Sequence, residues 1–161
     1  MKKLLISLSC SLILLILKPN TLMSQNMIYN FDNNSDLKRW GIVNDDVMGG
    51  ISSSNLKINI DGSGVFEGRI STAYNGGFSS LRFNCKKTFI KQNTHFKIKL
   101  KGDGKEYQFR VKANRDDYQS YIFLFKTSGD WETVTIPIKE MYASFRGRKL
   151  DMKNFNSNYF E

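Results

Sequence analysis

The chain is 161 residues long and basic, with 24 lysines and arginines against 15 aspartates and glutamates and a formal charge of +9. Its two cysteines and single histidine are too few for a disulfide framework, a His/Cys metal cluster or a Ser-His-Asp triad. Stability must therefore come from a hydrophobic core, and neither a metal nor a cofactor is expected.

Met1-Lys2-Lys3 followed by the apolar run Leu4 to Leu17 has the order of an export signal, and the run is shorter than the ~20 residues of a spanning helix. A signal peptide over residues 1–24, cut between Ser24 and Gln25, is the expected reading, with Cys10 an ordinary residue of its apolar part. On that reading the protein is exported, periplasmic or secreted, and after cleavage does not span a membrane. Anchoring by an uncleaved N-terminal segment is the alternative. Residues 25–161 are expected to form a single domain; Lys2, Lys3 and Lys18 are lost with the signal, leaving 21 bases, 15 acids and a charge of +6. Cys85 is then its one cysteine, alternating with Leu81 and Phe83 as a small core residue.

In chain order, the first element is a single helical turn in "SDLKRW", with Ser35 as its cap. "VNDDVMGGISSS", Val43 to Ser54, reads as a shaped loop, because paired glycines permit positive φ and close approach while Asp and Ser hold loop amides. The order Gly-Gly-apolar-Ser-Ser returns at Gly76 to Ser80.

From Asn55 onward, apolar and polar residues alternate at the period of a strand. Leu56, Ile58 and Ile60 share one face, and Phe66, Gly68 and Ile70 continue the pattern. Phe96, Ile98 and Leu100 point inward, then a Gly-Asp-Gly turn leads to Tyr107, Phe109, Val111 and Ala113, which predicts a hairpin. Its outward face would carry Lys97, Lys99, Lys101, Arg110 and Lys112 as one basic patch, with His95 beside it. "SYIFLFK" is apolar at nearly every position, as in a strand buried on both faces, and Val134, Ile136 and Ile138 alternate again after Trp131, which is read as core. At least six short strands with almost no helix predict an all-β chain, an antiparallel β-sandwich with jelly-roll topology among the options.

No residue set has the geometry of catalysis, since His95 lacks an orienting carboxylate. Asp45-Asp46 and Asp116-Asp117 fall in loops, where a calcium ion is the minority reading and solvated turn residues the main one. The basic face suits solvent or an acidic protein. Nucleic acid is not expected, because Phe96, Tyr107 and Phe109 would point away from that face.

Six motifs follow in one order: "WGIVNDDVMGGIS" from Trp40, "GVFEGRI" from Gly64, "NGGFSSLR" from Asn75, "KGDGKEYQFR" from Lys101, "GDWETVTIPI" from Gly129 and "FRGRKL" from Phe145. Together they resemble the complex I intermediate-associated protein 30 family over roughly Ile28 to Asn154. The resemblance implies a galactose-binding-like β-sandwich and a non-enzymatic, chaperone-like role in assembly of NADH:ubiquinone oxidoreductase. It also implies protein partners, of unstated identity. Family members run on through another strand or two beyond "FNSNYFE", which leaves open a truncated sequence or a shorter natural fold, and implies an exposed sheet edge.

The candidate site drawn from these motifs is Asn44, Asp45, Met48, Gly49, Gly50, Ser52, Asn75, Gly76, Gly77, Ser79, Arg82 and Asp103. Asp45, Ser52 and Ser79 are expected to tie the two Gly-Gly loops together, with Gly50 and Gly77 at positive φ and Arg82 paired to Asp45 or Asp103. The site is read as a structural lock or as a ligand or partner site. A carbohydrate-binding module, with Tyr74, Tyr118 or Trp131 as platform, is the alternative function.

Overall fold

The computed structural model describes residues 26–91 and 94–161, so the expected signal peptide, its expected cleavage site and Cys10 lie outside the described residues. The chain is all-β, with strands joined by turns and by single 3-10 turns, and every strand pair is antiparallel. In chain order the strands are β1 (Trp40–Asn44), β2 (Ser53–Ile58), β3 (Gly64–Arg69), β4 (Ser79–Phe83), β5 (Thr88–Phe89) and β6 (His95–Lys101). Then come β7 (Glu106–Val111), β8 (Ser120–Lys126), β9 (Trp131–Pro137), β10 (Tyr142–Phe145), β11 (Arg148–Lys149) and β12 (Tyr159–Phe160).

Four strands form one sheet in the order β11-β10-β8-β7, while β6 pairs with β9, β1 with β4, β2 with β3 and β5 with β12. The expected hairpin across the Gly-Asp-Gly turn does not form. Instead β6 pairs with β9, Phe96 opposite Ile136, and β7 pairs with β8, Phe109 opposite Phe123. The turn carries the chain from one layer to the other: Thr127 Oγ1 accepts from Gly104 N–H and donates to the Lys105 carbonyl, both at 3.0 Å, and a Cβ on Gly102 would lie 2.3 Å from Thr127. Alternation cannot separate these cases, because two strands that face each other across a core both point their apolar side inward. The Phe96 and Phe109 rings accordingly meet across the core, tilted by 53° with centroids 5.0 Å apart.

That core joins Phe96 and Ile136 to a row of Val111, Tyr121 and Ala143 across β7, β8 and β10, closed by Met141, Ile138, Phe155 and Phe160. A second aromatic group, Tyr29, Phe31, Trp40 and Phe83, packs with centroids 4.7–5.2 Å apart beside β1 and β4. At the tail, β12 pairs with β5 and the Glu161 backbone exchanges hydrogen bonds of 2.9 and 3.2 Å with Lys112 just beyond β7.

"SYIFLFK" is buried only at Tyr121 and Ile122, near the stretch flanked by both β7 and β10; Leu124, flanked by β7 alone, is exposed. Ile60, Ile70 and Tyr107 are exposed, and Trp131 is 56% exposed rather than core. Asp36 caps the first turn by accepting from Lys38 N–H, and Ser35 Oγ accepts from Asp32 N–H instead.

Candidate functional site

Asn44 ends β1 and Asp45 opens a 3-10 turn over Asp45–Met48, which Gly49 closes at φ 88°. The reversal turns Asp45 inward until its exposure is 0%. An ionised carboxylate is tolerated there only if its acceptors are filled. Ser52 N–H donates to Oδ1 at 2.8 Å, and Oδ2 accepts from Ser52 Oγ at 2.5 Å, Gly77 N–H at 2.6 Å and Phe78 N–H at 3.3 Å. One side chain thus joins the loop after β1 to the loop before β4.

The paired glycines divide the labour. Gly49 and Gly77 take φ of 88° and 131°, which disfavour a side chain. Gly50 and Gly76 make room for the carboxylate, since a Cβ at either would lie 2.4 or 2.5 Å from an Asp45 oxygen. Gly50 is therefore required by contact with Asp45, not by the positive φ expected for it.

Around this clasp the hydroxyls form a second tier. Ser54 Oγ donates to Asn44 Oδ1 at 2.9 Å and lies 2.6 Å from Ser79 Oγ, so β2 is tied to the β1–β4 pair. Ser52 Oγ also accepts from Ser71 N–H at 3.0 Å. The structure brings together Asn44, Asp45, Gly49, Gly50, Ser52, Gly76, Gly77 and Ser79. Ser79 joins through Ser54 rather than through Asp45.

Arg82 and Asp103 are not part of it. Arg82 is exposed, opposite Gly41 in β4, and no carboxylate lies within ion-pair distance among the described residues. Its charged neighbour is Arg110, whose pKa is lowered by burial first and then by Arg82. Asp103 serves its own turn, accepting from Lys105 Nζ at 2.5 Å and Tyr107 Oη at 2.8 Å. A register places Arg82 on a face, but only the three-dimensional path of the loops decides what it meets. Ser54, Ser71 and the Phe78 amide were missed; the Ser52-Ser53-Ser54 run was the available signal for the first.

The Ser52 hydroxyl first, then the amides of Gly77, Ser52 and Phe78, outweigh burial and hold the Asp45 pKa at about 2. Asp103 is likewise held at about 2, by Lys105 first and Tyr107 next. Because the folded pKa lies below the ordinary value of 3.8, these groups add stability fully above about pH 4 and lose it as pH falls through 2. Thermal melts between pH 5 and 2 are expected to show a decline that is shallower in Asp45→Asn and shallower again in Asp45→Asn with Asp103→Asn.

Outside the clasp the two loops display apolar side chains. Val47, Met48 and Ile51 are 69%, 65% and 60% exposed, Tyr74 is 72% exposed, and Phe78 stands at their margin. Tyr74 and Asn75 sit successively at φ 54° and 59°, a left-handed pair that local structure must hold in place. Asp45 is shut from solvent with its oxygens committed to four donors. Asp46 Oδ1 accepts from Val47 N–H and Asp117 Oδ2 from Asn114 N–H, and among the described residues no group of three His, Cys, Asp or Glu could hold a metal ion. His95 is exposed on β6 opposite Pro137.

A family model described as complex I intermediate-associated protein 30 matches residues 29–159, which include both loops and every residue of the clasp. The chain belongs to the complex I intermediate-associated protein 30 family. A curated relative, "Complex I intermediate-associated protein 30, mitochondrial" of Drosophila melanogaster, is 21% identical over 148 residues, covering 78% of this chain and 50% of the relative. The chain therefore spans half the length of that protein. This relative corrects the expected location: its mitochondrial description points away from a periplasmic or secreted protein of this family, and so away from reading the N-terminal run as an export signal. No helix among the described residues is long and apolar enough to cross a membrane.

Proposed function

We propose that the chain is a non-enzymatic protein-binding module that serves the assembly of complex I, gripping a partner with the apolar loops around the Asp45 clasp. Family membership supports the assembly role. The observation that carries the binding surface is the exposure of Val47, Met48, Ile51 and Tyr74 on two loops that one buried carboxylate fixes together. Exposed apolar groups held in place bind with little loss of conformational freedom, and Met and Tyr suit contact with varied apolar surface. That combination fits chaperone-like retention of an incompletely assembled subunit.

Tyr74 also favours carbohydrate binding as the second reading, because its ring is exposed beside the polar residue Asn75. Against it, Asp45 is bonded to Ser52, and Asn44 and Ser79 are both bonded to Ser54, which leaves few arms for sugar hydroxyls.

The test is affinity capture from mitochondrial extract with the full chain, the Met48→Asp/Ile51→Asp variant, and a lane competed with free sugars. Capture of complex I subunits is expected, at least about tenfold weaker in the variant and unchanged by sugar. Equal capture by the variant would remove the loops from the role. Release by a simple sugar would replace protein binding with the second reading.

A further inference from the structure

The outward face of the β6–β9 pair takes no part in the clasp. Lys97, Lys99 and Lys101 stand there opposite Thr135, Thr133 and Trp131, all exposed, and no carboxylate occupies any outward position of either strand. Residues two apart on a strand are about 6.6 Å apart, so the lysines form a straight row of point charges. Lys99 Nζ lies 5.8 Å from the centre of the Trp131 ring, which closes the row at one end. Because β6 and β7 belong to different layers, Arg110 is not on this face, and the cationic row is self-contained.

We propose that this face docks on the surface of an anionic lipid bilayer, with the lysines at the headgroups and Trp131 seated at headgroup depth. The complement to three uncompensated cations is an anionic partner, and the residue types select among anionic partners. A bound acidic peptide or phosphate is gripped by the bidentate fork of arginine, which is absent here, whereas lysine is a flexible, hydrated point charge suited to a diffuse anionic surface. Single-stranded nucleic acid needs a row of stacking rings, and the face has one, at its end. A two-stranded face with lysine stems and one terminal tryptophan has the side chains that settle at a membrane interface.

The test uses the full chain with phosphatidylcholine vesicles, neutral or containing about 30% phosphatidylglycerol. The apolar run Leu4 to Leu17 is attracted to both, so the readout is the ratio of partitioning between the two vesicle types. Expected is a strong preference for anionic vesicles, reduced roughly a hundredfold in Lys97→Glu/Lys99→Glu/Lys101→Glu and weakened by added salt. The corresponding triple Lys→Gln variant, checked by circular dichroism, guards against a loss caused by misfolding. A second readout is specific to the face: Trp40→Phe leaves Trp131 the sole tryptophan, and its emission should shift to the blue with anionic vesicles alone. If Trp40→Phe does not fold, Trp131→Phe in the wild-type background should abolish the vesicle-induced shift. An anionic preference retained by both triple variants, or no preference in the wild type, overturns the proposal. So does binding to polyglutamate or single-stranded DNA without vesicle preference, which would give the face a soluble polyanion instead.

Discussion

Gly50→Val and Gly76→Val are each expected to lower the free energy of unfolding by about 3 kcal/mol or more, measured by urea denaturation. Neither loss comes from a forbidden φ, because only Gly49 and Gly77 of the two pairs lie in the left-handed region. At Gly50 the new Cβ would stand 2.4 Å from both Cγ and Oδ1 of Asp45, and at Gly76 it would stand 2.5 Å from Oδ2. The carboxylate has nowhere to go, since Ser52, Gly77 and Phe78 hold it from other sides. A double-mutant cycle makes the cause visible: in an Asp45→Ala background the penalty of Gly50→Val should shrink, because the atoms it would strike are gone. Fully additive losses would mean that the obstruction lies elsewhere.

Phe160→Ala is the second large effect, about 3–5 kcal/mol, read from the midpoint of chemical denaturation. Phe160 is 4% exposed, its ring meets Phe96 edge-on at 4.9 Å, and its backbone pairs with Thr88. Truncation would therefore open a void at the centre of the sandwich while leaving the β12 ladder in place. A neighbouring change on the exposed side, Tyr159→Ala, should cost less, because its side chain is exposed, with its ring edge-on to Phe89 and the Lys87 ammonium above it. If both cost the same, the tail would be held by its backbone rather than by the Phe160 ring.

The strands were legible because burial on one face writes a period of two into the chain, as at Phe96, Ile98 and Leu100. Which strand pairs with which was not. The Gly-Asp-Gly turn looked like a hairpin because β6 and β7 share an inward parity that facing layers also require. The basic patch inherited that error, joining Arg110 to lysines that lie on another layer. Phe155 and Phe160 went unread because no alternation precedes them; Phe155 lies outside any strand and Phe160 in the two-residue strand β12.

At the site, the doubled Gly-Gly order beside Asp45 and Ser52 was informative, since glycine and short polar residues report close approach directly. The choice of partner for a long charged side chain leaves no such mark. Arg82 was assigned a carboxylate that the path of the loops takes elsewhere, and the Ser54 bridge was hidden inside a strand whose alternation already explained it.

The pairing of β12 with β5 also bears on how the molecule comes into being. Trp40 waits for Phe83, Phe96 for Ile136, and Thr88 for Phe160, so three of the described ladders join segments made far apart in time. Chains dominated by such distant contacts fold in milliseconds to seconds rather than microseconds. During synthesis the layers can pair piecemeal, yet the sandwich cannot close until Phe160 has left the ribosome. Until then the nascent chain carries unpaired edges and bare aromatic rings, the surfaces through which unfinished chains stick to one another.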